Sequence, residues 1–476
     1  MSSAITNNFM GMPVEEVVPD AAMVKGVSRS SLLTGRRRIR IQPQTGTSAG
    51  PNSIIQFVLA DSSSLLDLNS AVITATVTTT GTGDVAMDDG PAWVRRATIA
   101  LNGTNIDDTD LANRFANANV YAGADRAWYN GAGSFANYWA SNPGLATSGT
   151  TYPPTAYALG DVSGALVAAS VRCKAGQQFA WPLALVSKFF GTKPYLPLSQ
   201  CGELVVQLLC AANGEAVLQR SGNTDGAYTL TNIFMEVDLI QPHYLYMEML
   251  NRVTQLEGEQ GVVIPFNAVI SAQGQSVTAS GQANIVTSLA TNNLRKVIVT
   301  MSPTDRLADI NYPAVSAFGN HSLTGVQFRV GSLYFPSQES VNASAIFWNT
   351  ESAFNGGEPI HHRNGIIDLC TFQKTTGPAP VAYNVTSAYG AGPSNGAKQY
   401  WADNCVIAYG FDNYKGGEAL DADGISVLGQ AGSQLVTLLR IAPNASYFAS
   451  GVTPTIHLER TRYLVLKNGA LRVEGV

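Results

Sequence analysis

Short segments in which apolar and polar residues alternate recur along most of the chain, and they constrain the possible folds more than any other feature. In 71–78, for example, Ile73, Ala75 and Val77 fall on one side of an extended chain and threonines fall on the other. The same alternation returns in 232–239. Alternation with a period of two and β-branched residues is typical of a strand that buries one face. The sequence therefore predicts a chain built mainly of β-strands.

Helical patterns are scarce. The segments 110–122 and 246–253 place apolar residues at helical spacing, and each is predicted to form a short helix. Two long stretches, 130–176 and 371–402, are rich in small and polar residues and are predicted to be surface loops. Together these patterns indicate an all-β fold with a few short helices and long surface loops.

The composition excludes several classes of protein. Charged residues make up 13% of the 476 residues and hydrophobic residues 45%, which does not fit a disordered, highly charged chain. The formal net charge is -5, so the chain as a whole is not a cationic binder of bare nucleic acid. No apolar run is long enough for a membrane-spanning helix. Because the N-terminus lacks a basic start followed by an apolar core, we expect a protein made inside the cell and not secreted through a signal peptide.

Three regions are predicted along the chain. Residues 1–44 show no sustained pattern and are expected to form an N-terminal arm, followed by two strand-rich halves at 45–250 and 251–476. The arm ends in a cluster of like charges formed by Arg36, Arg37, Arg38 and Arg40. This cluster is interpreted either as part of a solvated arm or as a contact to nucleic acid, lipid headgroups or an acidic protein.

The densest aromatic cluster lies at the start of the first long loop. It consists of Trp128, Tyr129, Phe135, Tyr138 and Trp139. Aromatic rings in this setting either form a platform for sugars or anchor the loop and pack a subunit interface. We favour the second interpretation, because aromatic side chains within a loop of this length more often hold it in place.

Several short motifs could in principle carry catalysis or bind a metal, but the residues around each of them do not fit such a site. Gly46–Gly50 has the spacing of a nucleophile elbow around Ser48, but a proline and a strand pattern follow where a helix is required. The acidic segment 421–424 lacks the later glutamate of a calcium loop, and His361 and His362 would point to opposite faces of a strand. The five cysteines are widely spaced and form no CxxC pair. We therefore predict no active site, no metal site and no cofactor.

Four segments of the first half, taken together, carry a resemblance to a known family. They are 53–77, a strand, an acidic-leucine stretch and a second strand; 95–110, a strand with an Asn-Gly turn; 179–209, two strands around a Tyr-Leu-Pro-Leu entry; and 228–240, a long closing strand. In this order and at this spacing the segments resemble the double jelly-roll major capsid proteins of the phage–adenovirus lineage, including those of virophages and Polinton-like viruses.

The resemblance implies a specific architecture and a structural function. It implies two consecutive eight-stranded jelly rolls, and homotrimers that form pseudo-hexameric capsomers of an icosahedral DNA-virus shell. The expected location is the virion, and the expected partners are neighbouring capsomers, minor capsid proteins and vertex proteins. The arginine cluster is then expected on an arm that faces the particle interior, near the genome or an internal membrane. No small-molecule substrate is implied.

Two other functions remain as alternatives. The first is a β-sandwich adhesin or lectin that binds glycans through the aromatic cluster. The second is a carbohydrate-active enzyme on a jelly-roll scaffold, which would need two carboxylates facing each other across a cleft. The capsid interpretation is favoured over both.

Overall fold

The computed structural model describes most of the chain from residue 33 onward, and the statements below concern those residues alone. They are 33–125, 128, 131–138, 170, 172–192, 194–219, 223–244, 247–248, 262–278, 281–288, 291, 293–311, 314–316, 318–319, 323–355, 405–411, 425–427, 434–441, 451–467 and 470–475.

Strands dominate both halves of the chain. Those of the first half are β1 (Leu33–Ile41), β2 (Ile54–Leu59), β3 (Leu65–Thr80), β4 (Val85–Met87), β5 (Val94–Leu101), β6 (Thr104–Asp110), β7 (Gln177–Pro182), β8 (Leu196–Pro197), β9 (Leu204–Cys210), β10 (Val217–Gln219) and β11 (Ala227–Pro242). Those of the second half are β12 (Val262–Gln273), β13 (Gly281–Ser288), β14 (Leu294–Pro303), β15 (Gly325–Val330), β16 (Leu333–Ser340), β17 (Val406–Gly410), β18 (Gln434–Ile441), β19 (Val452–Lys467) and β20 (Ala470–Glu474).

The helices are few and mostly single turns. The α-helices are α1 (Ala112–Gly123), α2 (Ala132–Phe135), α3 (Leu198–Cys201), α4 (Asn213–Ala216) and α5 (Ala343–Asn355), with 3-10 turns at Leu183–Leu185, Lys188–Gly191 and Thr304–Arg306. The helix predicted at 110–122 is confirmed as α1, whereas the helix predicted at 246–253 falls mostly outside the described residues. In the part of the chain that the structure describes, no helix has the length and apolarity needed to span a membrane.

The first half forms two antiparallel sheets, one of four strands and one of five, in which the short strand β8 pairs with β3 beside the main path. One sheet has the order β1-β11-β3-β7, and the other has the order β2-β9-β5-β6. Counting only these eight strands along the chain, the orders are 1-8-3-6 and 2-7-4-5. Two Greek-key sheets joined in this way form a jelly-roll barrel.

The second half repeats the same order without a sequence repeat. Its sheets are β12-β19-β14-β17 and β13-β18-β15-β16, which again read 1-8-3-6 and 2-7-4-5. The extra strand β20 pairs with β19 at the end of the chain. The prediction of two consecutive eight-stranded jelly rolls is therefore confirmed.

The alternating segments form the walls of the barrels. Along β3, buried and half-buried residues alternate, and Ile73, Ala75 and Val77 are each at most 1% exposed. β3 pairs with β11 so that Ile73 lies opposite Met235 and Val77 opposite Leu230. Burying an aliphatic side chain of this size contributes about 1.5–3 kcal/mol, which is why each strand holds its apolar side to the barrel interior.

The predicted arm is wrong for residues 33–41. They form β1, which pairs with β11 in the first barrel: Arg36 lies opposite Ile240 and Ile41 opposite Met235. Among the arginines, the apolar alternation is limited to Ile39 and Ile41. The strand that pairs with these residues, β11, lies about 200 residues later in the sequence, so the local pattern does not reveal the pairing. Residues 1–32 and the boundary at 250–251 fall outside the described residues and stay predictions.

Candidate functional site: the arginine strand and the junction between the barrels

Strand β1 presents its arginines on the outer surface of the first barrel. Ile39 and Ile41 pack against the core, so Arg36, Arg38 and Arg40 point the other way, because successive side chains of a strand alternate in direction. Each of these three arginine side chains is more than half exposed. β1 ends its sheet, and in the described residues no other strand pairs with its free edge. The strand therefore offers both guanidinium groups and unpaired backbone groups to a partner.

Acidic side chains of the same barrel neutralise this strand. Arg36 donates to Asp238 through Nε at 3.0 Å and to Asp67 at 3.3 Å. The remaining pairs are Arg37 with Asp61 at 2.9 Å, Arg40 with Glu236 at 2.7 Å, and Arg38 with Glu236 at 3.7 Å and Asp238 at 3.5 Å. The hydrogen bond and charge of Asp238 raise the pKa of Arg36.

The four arginines are neutralised by four carboxylates, so the strand has little net positive charge with which to attract a phosphate backbone. Nucleic-acid affinity comes mainly from unpaired cations that release counterions, and these arginines are already paired. The arrangement does not favour the nucleic-acid interpretation. The expected orientation toward a particle interior stays a prediction.

The aromatic cluster does not form an exposed platform in its described part. Tyr138 is fully buried, and its ring lies edge-to-face against half-buried Trp128 with 5.8 Å between ring centroids. Gly90, with a φ of 63°, lies so close that a Cβ there would come within 2.7 Å of the Tyr138 hydroxyl. Phe135 is 70% exposed. Tyr129 and Trp139 lie outside the described residues.

Of the other motifs considered, only the segment around Ser48 lies within the described residues. Ser48 lies in the exposed loop between β1 and β2, and strand β2, not a helix, follows it. His361, His362 and residues 421–424 fall outside the described residues. Within the described part, no cluster of three or more His, Cys, Asp or Glu residues is arranged to hold a metal ion.

A buried polar junction between the two barrels is the feature that the sequence patterns missed. Asp88, in the loop between β4 and β5, accepts hydrogen bonds from the hydroxyl of Ser316 at 2.6 Å and the backbone N–H of Val315 at 3.4 Å. From α1, the Asn117 amide donates to the Val315 carbonyl at 3.0 Å, and Arg114 donates to the Leu307 carbonyl at 2.9 Å. The only sequence signal was an acidic pair in the otherwise apolar segment 85–94.

A second layer of the junction joins β6 and the neighbouring 3-10 turn to β12 and β19. The Arg462 guanidinium donates to the Ile106 carbonyl at 2.6 Å. The rings of Phe189 and Phe266 meet edge-to-face at 5.3 Å between centroids. The carboxylate of Asp107 accepts from the Ser187 hydroxyl within its own barrel and from a backbone N–H of β12 in the second barrel.

Burial shifts the ionisation of the junction residues. Desolvation, helped by the charge of neighbouring Asp89, raises the pKa of Asp88 to about 7, although the bond from Ser316 opposes this shift. Desolvation likewise raises the pKa of Asp107 to about 6. His457, whose ring lies 5.5 Å from that of Phe115, has its pKa lowered to about 3 by burial and by the charge of Arg114.

The junction also brings backbones into direct contact. A Cβ added to Gly214 in α4 would lie 2.2 Å from the carbonyl oxygen of Ala308, and the backbone N–H of Gln219 donates to the carbonyl of Ile310 at 2.8 Å. Contacts this close, together with buried and hydrogen-bonded polar groups, fix one relative orientation of the barrels.

Comparison with solved structures shows the same architecture in viral capsids. The chain is similar to PBCV-1 VP54, as fitted into a cryo-EM reconstruction of the virophage Sputnik, with a TM-score of 0.55 and 10% identity over 95% of this chain and 99% of that one. It is similar to the quasi-atomic model of the PBCV-1 virus capsid, with a TM-score of 0.52 and 11% identity over 95% and 99%. It is similar to the Faustovirus major capsid protein, with a TM-score of 0.51 and 8% identity over 94% and 93%.

Sequence comparison adds nothing to this likeness. No protein-family model matches the chain, and no curated protein matches it in sequence. The evidence for the fold is therefore the three-dimensional likeness over nearly the whole of both chains, together with the strand order found in each half. On that evidence the chain has the double jelly-roll fold that the resemblance of its first half implied.

Proposed function

We propose that the protein is a major capsid protein whose homotrimers form pseudo-hexameric capsomers of an icosahedral DNA-virus shell. The observation that supports this proposal is the pair of jelly rolls joined at a buried junction, a fold that is similar over 94% of the chain to the Faustovirus major capsid protein. Three chains of two barrels each supply the six barrels of a pseudo-hexagonal unit.

The physical properties of the chain suit a repeated building block. A subunit that packs many times in one shell must hold its shape, and the hydrogen-bonded contacts across the junction hold the two barrels as one rigid unit. Because only 13% of its residues are charged, its surfaces are largely neutral and able to form hydrogen bonds, and neighbouring subunits can bury them without burying unpaired charges. A double jelly roll also leaves few sheet edges that would nucleate uncontrolled association.

The geometry disfavours the two alternatives. A sugar platform needs exposed ring faces, whereas Tyr138 is buried and Trp128 is half-buried. A glycosidase needs two carboxylates in an open cleft, and the adjacent pair Asp88 and Asp89 does not meet this requirement, because both residues are buried at the junction. We accordingly propose a structural role without catalysis.

The partners and location follow from the same proposal. The first partner is the chain itself, in the trimer and between capsomers, and the location is the virion shell. Minor capsid and vertex proteins are the further partners proposed. Residues 1–32 are proposed to contact a neighbouring capsomer, a minor protein, the genome or an internal membrane.

The test is the assembly state of the purified protein. Light scattering coupled to size-exclusion chromatography should give the mass of a trimer, and negative-stain electron microscopy should show pseudo-hexagonal particles or closed shells. A protein that remains monomeric at high concentration, or that binds glycans specifically in an array, would overturn the proposal.

A further inference from the structure

Two buried carboxylates of the first barrel reach across the junction to the second barrel. Asp88, in the loop between β4 and β5, accepts hydrogen bonds from the Ser316 hydroxyl at 2.6 Å and from the backbone N–H of Val315 at 3.4 Å. Asp107, on β6, accepts a hydrogen bond from the backbone N–H of Val269 on β12. Asp88 and Asp107 are each 1% exposed. Each layer of the junction therefore contains a carboxylate of one barrel that is bonded to the other barrel.

The surroundings of Asp88 make its ionisation unfavourable. Asp89 is also buried, and its carboxylate accepts a hydrogen bond from Tyr121 at 2.8 Å. The other ionisable side chains on the elements packed against this loop are Arg114 of α1, Tyr138, Glu215 of α4, and Asp305 and Asp309 of the segment 304–316. Desolvation, and after it the charge of Asp89, raises the pKa of Asp88 to about 7. Two neighbouring carboxyl groups out of water oppose each other's ionisation.

Asp107 is buried in the second layer and receives a further hydrogen bond from the Ser187 hydroxyl. The charged side chains on the elements around it are Arg460 and Arg462 of β19, Arg472 of β20, Lys188 of the neighbouring 3-10 turn, Arg95 and Arg96 of β5, and Asp108 and Asp110 of its own strand. The charge of Arg462 and the hydrogen bonds favour the ionised carboxylate, but desolvation outweighs them and raises the pKa of Asp107 to about 6. Both bridging carboxyl groups thus bind a proton more tightly than they would in water.

We propose that the junction between the barrels is a pH-dependent contact, closed while Asp88 and Asp107 are protonated and loosened around Val315 and Val269 when they ionise. Opening these contacts returns each carboxyl group to water, where ionisation is easy, so loss of the protons favours the open form. The proposal concerns the chain itself and holds whether or not the chain assembles. In a shell subunit, the barrels would be held most firmly in mild acid and would gain freedom above neutral pH.

Proton linkage gives the sign and the size of the effect. Between the ordinary carboxyl pKa and about 7, the closed junction keeps a proton on Asp88 that the open junction has lost, so closing becomes less favourable as the pH rises. Each pH unit in this range changes the opening equilibrium about tenfold per proton. From pH 5 to pH 8, opening should therefore increase about a hundredfold at the Asp88 contacts and about tenfold at the Asp107 contacts.

Hydrogen exchange of the full-length protein, corrected for the intrinsic pH dependence of amide exchange, measures this opening. The amides of Val315 and Val269 are the reporters, because they donate to the two carboxylates. Protection of peptides that contain them should fall between pH 5 and pH 8, whereas protection of β3, inside the first barrel, should not. Unchanged protection of both reporter peptides across this range in the wild-type protein would overturn the proposal.

Replacing the two carboxyl groups tests whether they are the source of the pH dependence. Asp88→Asn and Asp107→Asn preserve the shape of the side chains, and in the double variant protection of the reporter peptides should no longer depend on pH. Asp108→Asn is the matched control for Asp107, because the hydrogen bond and charge of Arg96 lower the pKa of Asp108 and keep it ionised throughout this range. The control should retain the wild-type dependence. A dependence that persists in the double variant would show that other groups titrate and would refute the proposal.

Ser316→Ala separates titration from simple packing, and it retains both carboxyl groups if the asparagine variants fail to fold. The hydrogen bond from Ser316 lowers the pKa of Asp88, so its loss should raise that pKa further. The pH at which opening of 304–316 levels off should then move upward. A hydroxyl with a purely structural role would lower protection equally at every pH. That result, or a midpoint that moves to lower pH, would rule out Asp88 as the titrating group.

Discussion

The carboxylate of Asp88 in the first barrel and the hydroxyl of Ser316 in the second barrel are joined by a buried hydrogen bond of 2.6 Å. The two residues are 228 positions apart, so this bond forms only when both barrels have folded and docked. Asp89 follows Asp88 directly and accepts a hydrogen bond from Tyr121 of α1 at 2.8 Å. The docking of the barrels is therefore coupled to the protonation of Asp88, whose pKa is raised to about 7.

Asp88→Asn should change how stability depends on pH. The pKa of Asp88 is raised to about 7 in the folded protein, so the folded state binds more protons than the unfolded state between the ordinary carboxyl pKa and about 7. The contribution of Asp88 is thus favourable in acid and is lost as pH rises through about 7. Relative to wild type, Asp88→Asn should gain stability as the pH rises from about 4 to about 7, by on the order of 1 kcal/mol or more. Thermal unfolding across this range measures the difference.

Asp225→Asn is the control for that experiment. Asp225 is exposed, and hydrogen bonds from Gln219 and Thr82 lower its pKa to about 2. Its contribution is therefore present at neutral pH and is lost only in strong acid, as pH falls through about 2. A constant difference between Asp88→Asn and wild type across the range would show that Asp88 does not titrate there.

Gly214→Ala should loosen the junction. The added Cβ would lie 2.2 Å from the Ala308 carbonyl oxygen, so one backbone must move, at a cost of about 1–3 kcal/mol. At an exposed helical position the same change would stabilise the protein. Gly50→Ala is the control, because nothing lies within 4 Å of its added Cβ. Hydrogen exchange should become faster at 304–316 in the first variant alone, and unchanged exchange there would contradict the prediction.

Two aromatic substitutions separate anchoring from sugar binding. Tyr138→Ala should destabilise the protein by about 3–5 kcal/mol, because it removes a fully buried ring. Phe135→Ala should change stability by less than about 0.5 kcal/mol, because that ring is 70% exposed. Chemical denaturation provides both values. Loss of glycan binding in Phe135→Ala, with stability unchanged, would favour the lectin alternative.

Two N-terminal truncations should behave differently. Removing residues 1–32 leaves β1 in place, and we expect folded trimers that assemble poorly into shells. Removing residues 1–44 deletes β1 and exposes the edge of β11, which should cause aggregation or loss of the first barrel. Light scattering and electron microscopy distinguish the two. Normal shells from the shorter truncation would show that residues 1–32 have no role in assembly.

The sequence patterns predicted the elements whose evidence is local. The alternation in β3 and β11 and the helical spacing of α1 both depend on neighbours in the chain. β1 was not predicted, because its apolar alternation is limited to Ile39 and Ile41. The strand that pairs with it lies about 200 residues away, and two of the four carboxylates that neutralise its arginines lie on that strand.

The junction was not predictable for a related reason. Hydrogen bonds such as those from Arg114 to Leu307 and from Arg462 to Ile106 are accepted by backbone carbonyls. Because every residue has a backbone carbonyl, the sequence does not show which one accepts. The duplication was hidden as well, because the two barrels share a strand order and no recognisable repeat of residues. Periodicity reports which side of a strand is buried, but it does not report what covers that side.

The pairing of first and last strands has a consequence for how such a chain can arise. β1 pairs with β11, and β12 pairs with β19, so each barrel begins and ends at the same place on its surface. A complete barrel can therefore be appended through a short linker without threading the chain or breaking an existing ladder. Duplication of a gene for one barrel, followed by fusion, yields this architecture in a single step. After fusion the two barrels can diverge in sequence. One face of each barrel can then adapt to the other barrel of the chain, and another face can adapt to a neighbouring molecule.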